Sequence, residues 1–175
     1  IVVGAERTSE PLIIGRVSLK IGQPYRASDV RKTEERIATL GTFSSVAVSL
    51  QDAYVPARRK TVVIQVQERL PQYLDIRPGF STGEGVRIQF EYGHLNIAGE
   101  AIRFTLRLRL SYLPDVFILD EDVRNNLDTL PMSRRLERHN TASVLFPEIG
   151  LGPLVSLNFD GIDVRSNARD FGLSK

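Results

Sequence analysis

Between Ala101 and Tyr112 the chain alternates without interruption: Ile102, Phe104, Leu106, Leu108 and Leu110 are separated by Arg103, Thr105, Arg107, Arg109 and Ser111. Side chains of an extended strand point to opposite faces in turn, so large apolar groups line one face and arginines the other. The run exceeds the roughly 5–6 residues of an average strand. It matches the about 9–11 residues with which a tilted strand crosses a bilayer. The preceding segment carries the same code, with Val86, Ile88, Phe90 and Tyr92 set against Arg87, Gln89, Glu91 and Gly93. An apolar face of this extent needs a lipid or protein cover, because exposure to water invites aggregation. Purely apolar runs are only a few residues long, Leu12 to Ile14 for example, and fall far short of the ~20 residues of a membrane helix. Strands are therefore the expected spanning element, and in lipid they must close into a barrel so that every backbone group is paired.

A different pattern precedes residue 70. A short apolar run, Ile1-Val2-Val3, breaks at Gly4. Thr8 and Ser9 then offer N-cap oxygens ahead of Pro11, a residue suited to the first helical turn, and a short helix is expected over Leu12 to Leu19. Gly22 and Pro24 stop it. Val30, Ile37 and Leu40 share one face of a second helix, Arg31 and Glu35 lie on its exposed side, and Gly41 is placed just past its end. Phe43 to Leu50 and Thr61 to Glu68 read as strands on either side of a basic loop that contains Pro56; in the second, Val62, Ile64 and Val66 face one way. The order β-α-α-β-β describes an α+β layer of two helices on a three-stranded sheet. The boundary is expected at residue 70, with 71–175 an incomplete antiparallel all-β fragment.

Turn signals divide that fragment at 82–85, 96–100 and 150–153, and two less regular strands are expected at 142–149 and 154–162. With residues 1–70 on one side of a membrane, the turns at 96–100 and 150–153 fall on that side and the acidic 115–131 segment falls opposite. Short turns on one side and longer loops on the other is the barrel pattern.

Other classes of function find little support. Lys and Arg, 23 together, are scattered among 21 acids, so no nucleic-acid partner is expected. With no cysteine there is neither a disulfide framework nor a thiolate metal site. His94 and His139 are the only histidines and lie outside any His-Glu-x-x-His pattern. Ser81 to Gly85 lacks the Lys-Ser/Thr of a phosphate loop, and Asp115, Asp120, Glu121 and Asp122 lack the glycine and terminal glutamate of a calcium loop. No enzyme activity, cofactor or metal is expected, and a chain starting at Ile1 reads as a processed or truncated product.

Arg7-Thr8-Ser9, Gly22-Gln23-Pro24-Tyr25, Leu40-Gly41-Thr42-Phe43-Ser44-Ser45-Val46 and Val66-Gln67-Glu68-Arg69 together resemble POTRA domains. Pro78-Gly79-Phe80 and the turn from Gly93-His94-Leu95-Asn96 to Gly99 resemble the first barrel strands of BamA/TamA-type outer-membrane assembly proteins, in the bacterial surface antigen superfamily. The family's Val-Arg-Gly-aromatic motif and a C-terminal aromatic strand are absent.

The resemblance implies an outer-membrane protein with residues 1–70 in the periplasm, which binds unfolded clients by strand addition and inserts them through the barrel. It implies a client-strand edge at Phe43, Ser44, Ser45, Val46, Ala47, Val48, Ser49 and Leu50, where proline at Ala47 or Ser49 should abolish client pairing. In the barrel fragment, Arg103, Arg107 and Arg109 are expected to face the lumen, and Ile102, Phe104, Leu106, Leu108 and Leu110 the lipid. Expected partners are unfolded outer-membrane or secreted polypeptides, outer-membrane lipid and periplasmic accessory proteins. Two alternatives stay open: a secretion pore for one dedicated partner, and a soluble α+β interaction module.

Overall fold

A computed structural model describes residues 1–81, 85–112, 114, 125, 136–152 and 155–165. Its elements run β1 (Val2–Val3), α1 (Glu10–Gly15), α2 (Ala27–Ala38), β2 (Phe43–Leu50), β3 (Val62–Glu68), β4 (Gln72–Ser81), β5 (Gly85–Ile97), β6 (Ile102–Tyr112), β7 (Leu136–Phe146) and β8 (Leu157–Arg165). They form two sheets, one of three strands in the order β1-β3-β2 and one of five in the order β4-β5-β6-β7-β8. The chain gathers into two compact units. One holds Ile1–Tyr73, His94–Phe104 and Val144–Phe159; the other holds the described residues of Leu74–Gly93, Thr105–Ser143 and Asp160–Lys175.

The core of the first unit is Leu12, Ile13, Ile37, Leu40, Phe43, Val48, Ile64 and Val66, joined by Ala101. Ile13 and Ile37 are wholly buried. Helix α2 delivers Ile37 from its packing face and keeps Arg31 and Glu35 in water, as helical spacing dictates. It ends at Thr39, and Gly41 follows with φ 73°, the left-handed turn that glycine makes at least cost. Helix α1 is shorter than the pattern over residues 12–19 suggests. It stops at Gly15, and Val17 and Leu19 pack on the core from non-helical chain instead. The Ser18 amide there donates to the Thr33 hydroxyl at 3.0 Å, and that hydroxyl donates to the Asp29 carbonyl at 2.7 Å.

Strand β1 pairs parallel to β3, with Val2 opposite Ile64. β2 pairs antiparallel to β3, from Phe43 opposite Glu68 to Leu50 opposite Val62, with an irregularity between Phe43 and Ser45. In the five-stranded antiparallel sheet β4 is an edge strand, which suits Pro78, since proline cannot donate to a ladder. The last two strands start and end away from their expected positions. β7 begins at Leu136, because Glu137, Arg138, His139 and Asn140 are polar on both faces and leave no alternation to read. β8 runs on to Arg165, and its apolar residues change phase across Gly161, from Leu157 and Phe159 to Ile162 and Val164; glycine inside a strand often marks such a slip. The expected turn at 82–85 and the acidic 115–131 segment lie largely outside the described residues.

Candidate functional site

Three short sequence runs converge in the first unit. Glu68, at the end of β3, accepts hydrogen bonds from the amides of Arg7 and Thr8, at 3.1 and 2.8 Å, and from the Thr8 hydroxyl at 2.7 Å. Thr8 therefore does not cap α1. Ser9 holds the cap position, without a side-chain hydrogen bond. Thr8 Oγ1 in turn accepts from Asn96 Nδ2 at 3.0 Å, and Asn96 Oδ1 accepts from the Ala101 amide at 2.8 Å. The turn after β5 is thus tied into the same network. Ala98 and Ala101 hold positive φ, 56° and 53°, a strained choice for residues other than glycine. Between them the Gly99 carbonyl accepts from the Ser9 amide at 2.9 Å. A side chain at Gly99 would run into the Arg7 carbonyl.

Partial burial pushes the Glu68 carboxyl up, but the Thr8 hydroxyl, the two amides and the Arg7 charge together outweigh it and hold it below the ordinary carboxylate range. Arg69 continues the run, its amide and Nε donating to the carbonyls of Thr42 and Phe43 at 2.8 and 2.9 Å.

A second tie involves Arg16, which is 3% exposed. Its Nη2 donates to the Pro147 carbonyl at 2.7 Å, its Nη1 to Thr39 Oγ1 at 3.2 Å, and its Nε lies 3.6 Å from Glu148 Oε2. Burial lowers the guanidinium's pKa, and the Glu148 carboxylate opposes that fall. No pattern in the sequence announces this residue, which falls inside the helix expected over Leu12 to Leu19.

The expected client edge, Phe43 to Leu50, is strand β2, and it lies at the edge of its sheet. Ser44, Ser45, Ala47 and Ser49 are exposed, Phe43 and Val48 are buried, and Val46 and Leu50 are half-buried. Backbone direction follows from the register. The Gln51 amide donates to the Thr61 carbonyl at 2.9 Å, and in an antiparallel ladder only alternate residues bond the neighbouring strand. Ala47 and Ser49 therefore bond β3, while Val46, Val48 and Leu50 turn their amides and carbonyls outward. The Val48 amide donates to Glu34 Oε1 of α2 at 2.9 Å.

On β6 the arginines differ from one another. Arg103 packs against the backbone of Gly41. Arg107 Nε lies 3.1 Å from Glu91 Oε2, an ion pair across β5 and β6. Arg109 lines a shallow polar cleft with Ser111, Glu137, Arg138 and His139. Ile102, Phe104, Leu106, Leu108 and Leu110 are each half-buried. On β4, Leu74, Ile76 and Phe80 share a face by alternation and are 66%, 51% and 55% exposed. Among the described residues no helix is long and apolar enough to cross a membrane. No group of acids and histidines among them is placed to hold a metal.

A family model described as POTRA, the surface antigen variable number repeat, matches residues 1–69. That stretch of the chain, residues 1–69, is POTRA-like. Among solved structures it is similar to the crystal structure of BamA from Haemophilus ducreyi lacking POTRA domains 1–3, with a TM-score of 0.60 and 16% identity. That match covers 96% of this chain and 27% of the other, so this chain spans about a quarter of that BamA structure. No curated protein matches. The five-stranded sheet thus has the fold of BamA-type barrel strands.

Proposed function

We propose that this protein assembles outer-membrane proteins, taking unfolded clients by strand addition at β2 of the POTRA domain and inserting them through the barrel to which β4–β8 belong. The observation that carries the reading is the state of β2. It is an edge strand whose exposed side chains are serines and an alanine, with outward amides at Val46, Val48 and Leu50. An edge of this kind pairs with an extended peptide through main-chain bonds that tolerate many client sequences. Residues 1–70 form the periplasmic part and 71–175 the barrel part. In that part Ile102, Phe104, Leu106, Leu108 and Leu110 meet lipid, and Arg103, Arg107 and Arg109 face the lumen. Clients and periplasmic accessory proteins are the partners, and no catalytic step is involved.

Photocrosslinkers at Ser45 and Ser49 test the edge. The register moves proline from Ala47 and Ser49 to outward positions. Val46→Pro and Leu50→Pro each remove an outward donor and should cut client crosslinking about tenfold while the domain stays folded. Ala47→Pro removes a bond to β3 and should unfold it. Crosslinking that survives Val46→Pro and Leu50→Pro would remove the edge from the account.

A further inference from the structure

The middle donor of the β2 edge is already occupied. Helix α2 packs on β2, and Glu34 stands on the packing side of that helix, one turn after Val30 and one turn before the wholly buried Ile37. From there its carboxylate oxygen takes the Val48 amide at 2.9 Å, the position that a client carbonyl would occupy. The outward amides of Val46 and Leu50 carry no such side-chain cap among the described residues.

We infer that Glu34 is a displaceable gate on the client edge and sets the charge preference of the strand admitted. The inference rests on the edge reading above. Capping an exposed edge with a charged group is a known defence against unwanted pairing, and here the cap copies the acceptor of a β-ladder. A client strand in full register must replace the carboxylate with its own carbonyl, so the gate weakens binding of every client. Helix α2 is held by Ile37 in the core, so the displaced carboxylate stays beside the incoming strand. A lysine or arginine of the client at that point pairs with it, whereas an aspartate or glutamate is repelled.

The test uses the protein in detergent micelles and three eight-residue peptides of alternating valine and threonine that differ only in a central Lys, Gln or Glu. Amide exchange by NMR reads the cap, and fluorescence anisotropy reads binding. In Glu34→Ala the Val48 amide should exchange about tenfold faster while Ala47 and Ser49 are unchanged, and the Gln peptide should bind about three- to tenfold tighter. The wild type should prefer the Lys peptide over the Glu peptide by about fourfold. That preference should vanish in Glu34→Ala and reverse in Glu34→Lys. Exchange at Val48 and binding that are both indifferent to residue 34 would overturn the inference alone. If no peptide binds wild type or variant, the edge reading and the inference fall together.

Discussion

In the three-stranded sheet Ile64 and Val66 are 5% and 4% exposed, whereas in the five-stranded sheet Phe159 and Ile162 of β8 are 58% and 67% exposed. Both sheets are amphipathic, but among the described residues the apolar side chains of the first are buried by its own helices, while those of β4 and β8 in the second are exposed. The second sheet needs a cover from its surroundings, and a bilayer provides one without unpaired backbone once the strands close. The edges differ in the same way. β2 exposes small residues along its length and is capped near its centre by Glu34, which suits reversible pairing. β8 offers apolar groups that suit permanent pairing with another strand.

The contrast has its largest consequence in the core. Ile37→Ala should cost about 2–5 kcal/mol of POTRA stability by chemical denaturation, while Ile76→Ala on the exposed face of β4 should cost well under ~1 kcal/mol in micelles. Similar losses for the two would break the comparison. Leu106→Arg, at the middle of a membrane-length strand, should destabilise the barrel by about 2–4 kcal/mol when refolded in bilayers, and Ala47→Arg on the POTRA edge should leave folding unchanged.

Removing the buried charge with Arg16→Met leaves the Pro147 carbonyl without its donor and the Glu148 carboxylate without its counter-charge, a loss of about 1–3 kcal/mol. The double variant Arg16→Met, Glu148→Gln should recover part of it. Acid should act on the Glu68 network. A carboxyl whose folded pKa is depressed contributes stability that is full above its unfolded value of about 4.3 and lost as pH falls through the lower folded one. Denaturation midpoints should drop across that window in the wild type and less steeply in Glu68→Gln. The smallest effect belongs to the Arg107–Glu91 pair, 45% and 12% exposed, where a double-mutant cycle should return about 0.2–1 kcal/mol.

Strong periodicity made much of this legible in the sequence. The β6 alternation, the faces of α2 and β3, and the bounds of β2 all follow from single-strand or single-helix spacing. What the sequence conceals depends on partners distant in the chain. Thr8 reads as a helix cap until Glu68 and Asn96 are seen to claim its hydroxyl. Arg16 carries no signal of its own in the sequence, and its partners Pro147 and Glu148 lie more than 130 residues away. Ala47 and Ser49 look like the place to obstruct the edge, because side-chain exposure is written in the sequence and backbone direction is not; the pairing with β3 turns Val46, Val48 and Leu50 outward instead. Glu34 is one of several helix acids by pattern, and only the packing of α2 on β2 brings it to Val48.

The chain has no native cysteine, so single cysteines can be placed along residues 101–112, labelled with an environment-sensitive fluorophore and exposed to bilayers whose acyl chains carry bromine. Quenching should be strong at 102, 104, 106, 108 and 110 and weak at 103, 105, 107, 109 and 111. Uniform quenching, or none, would contradict a lipid-facing sheet and leave its apolar face to be covered by protein.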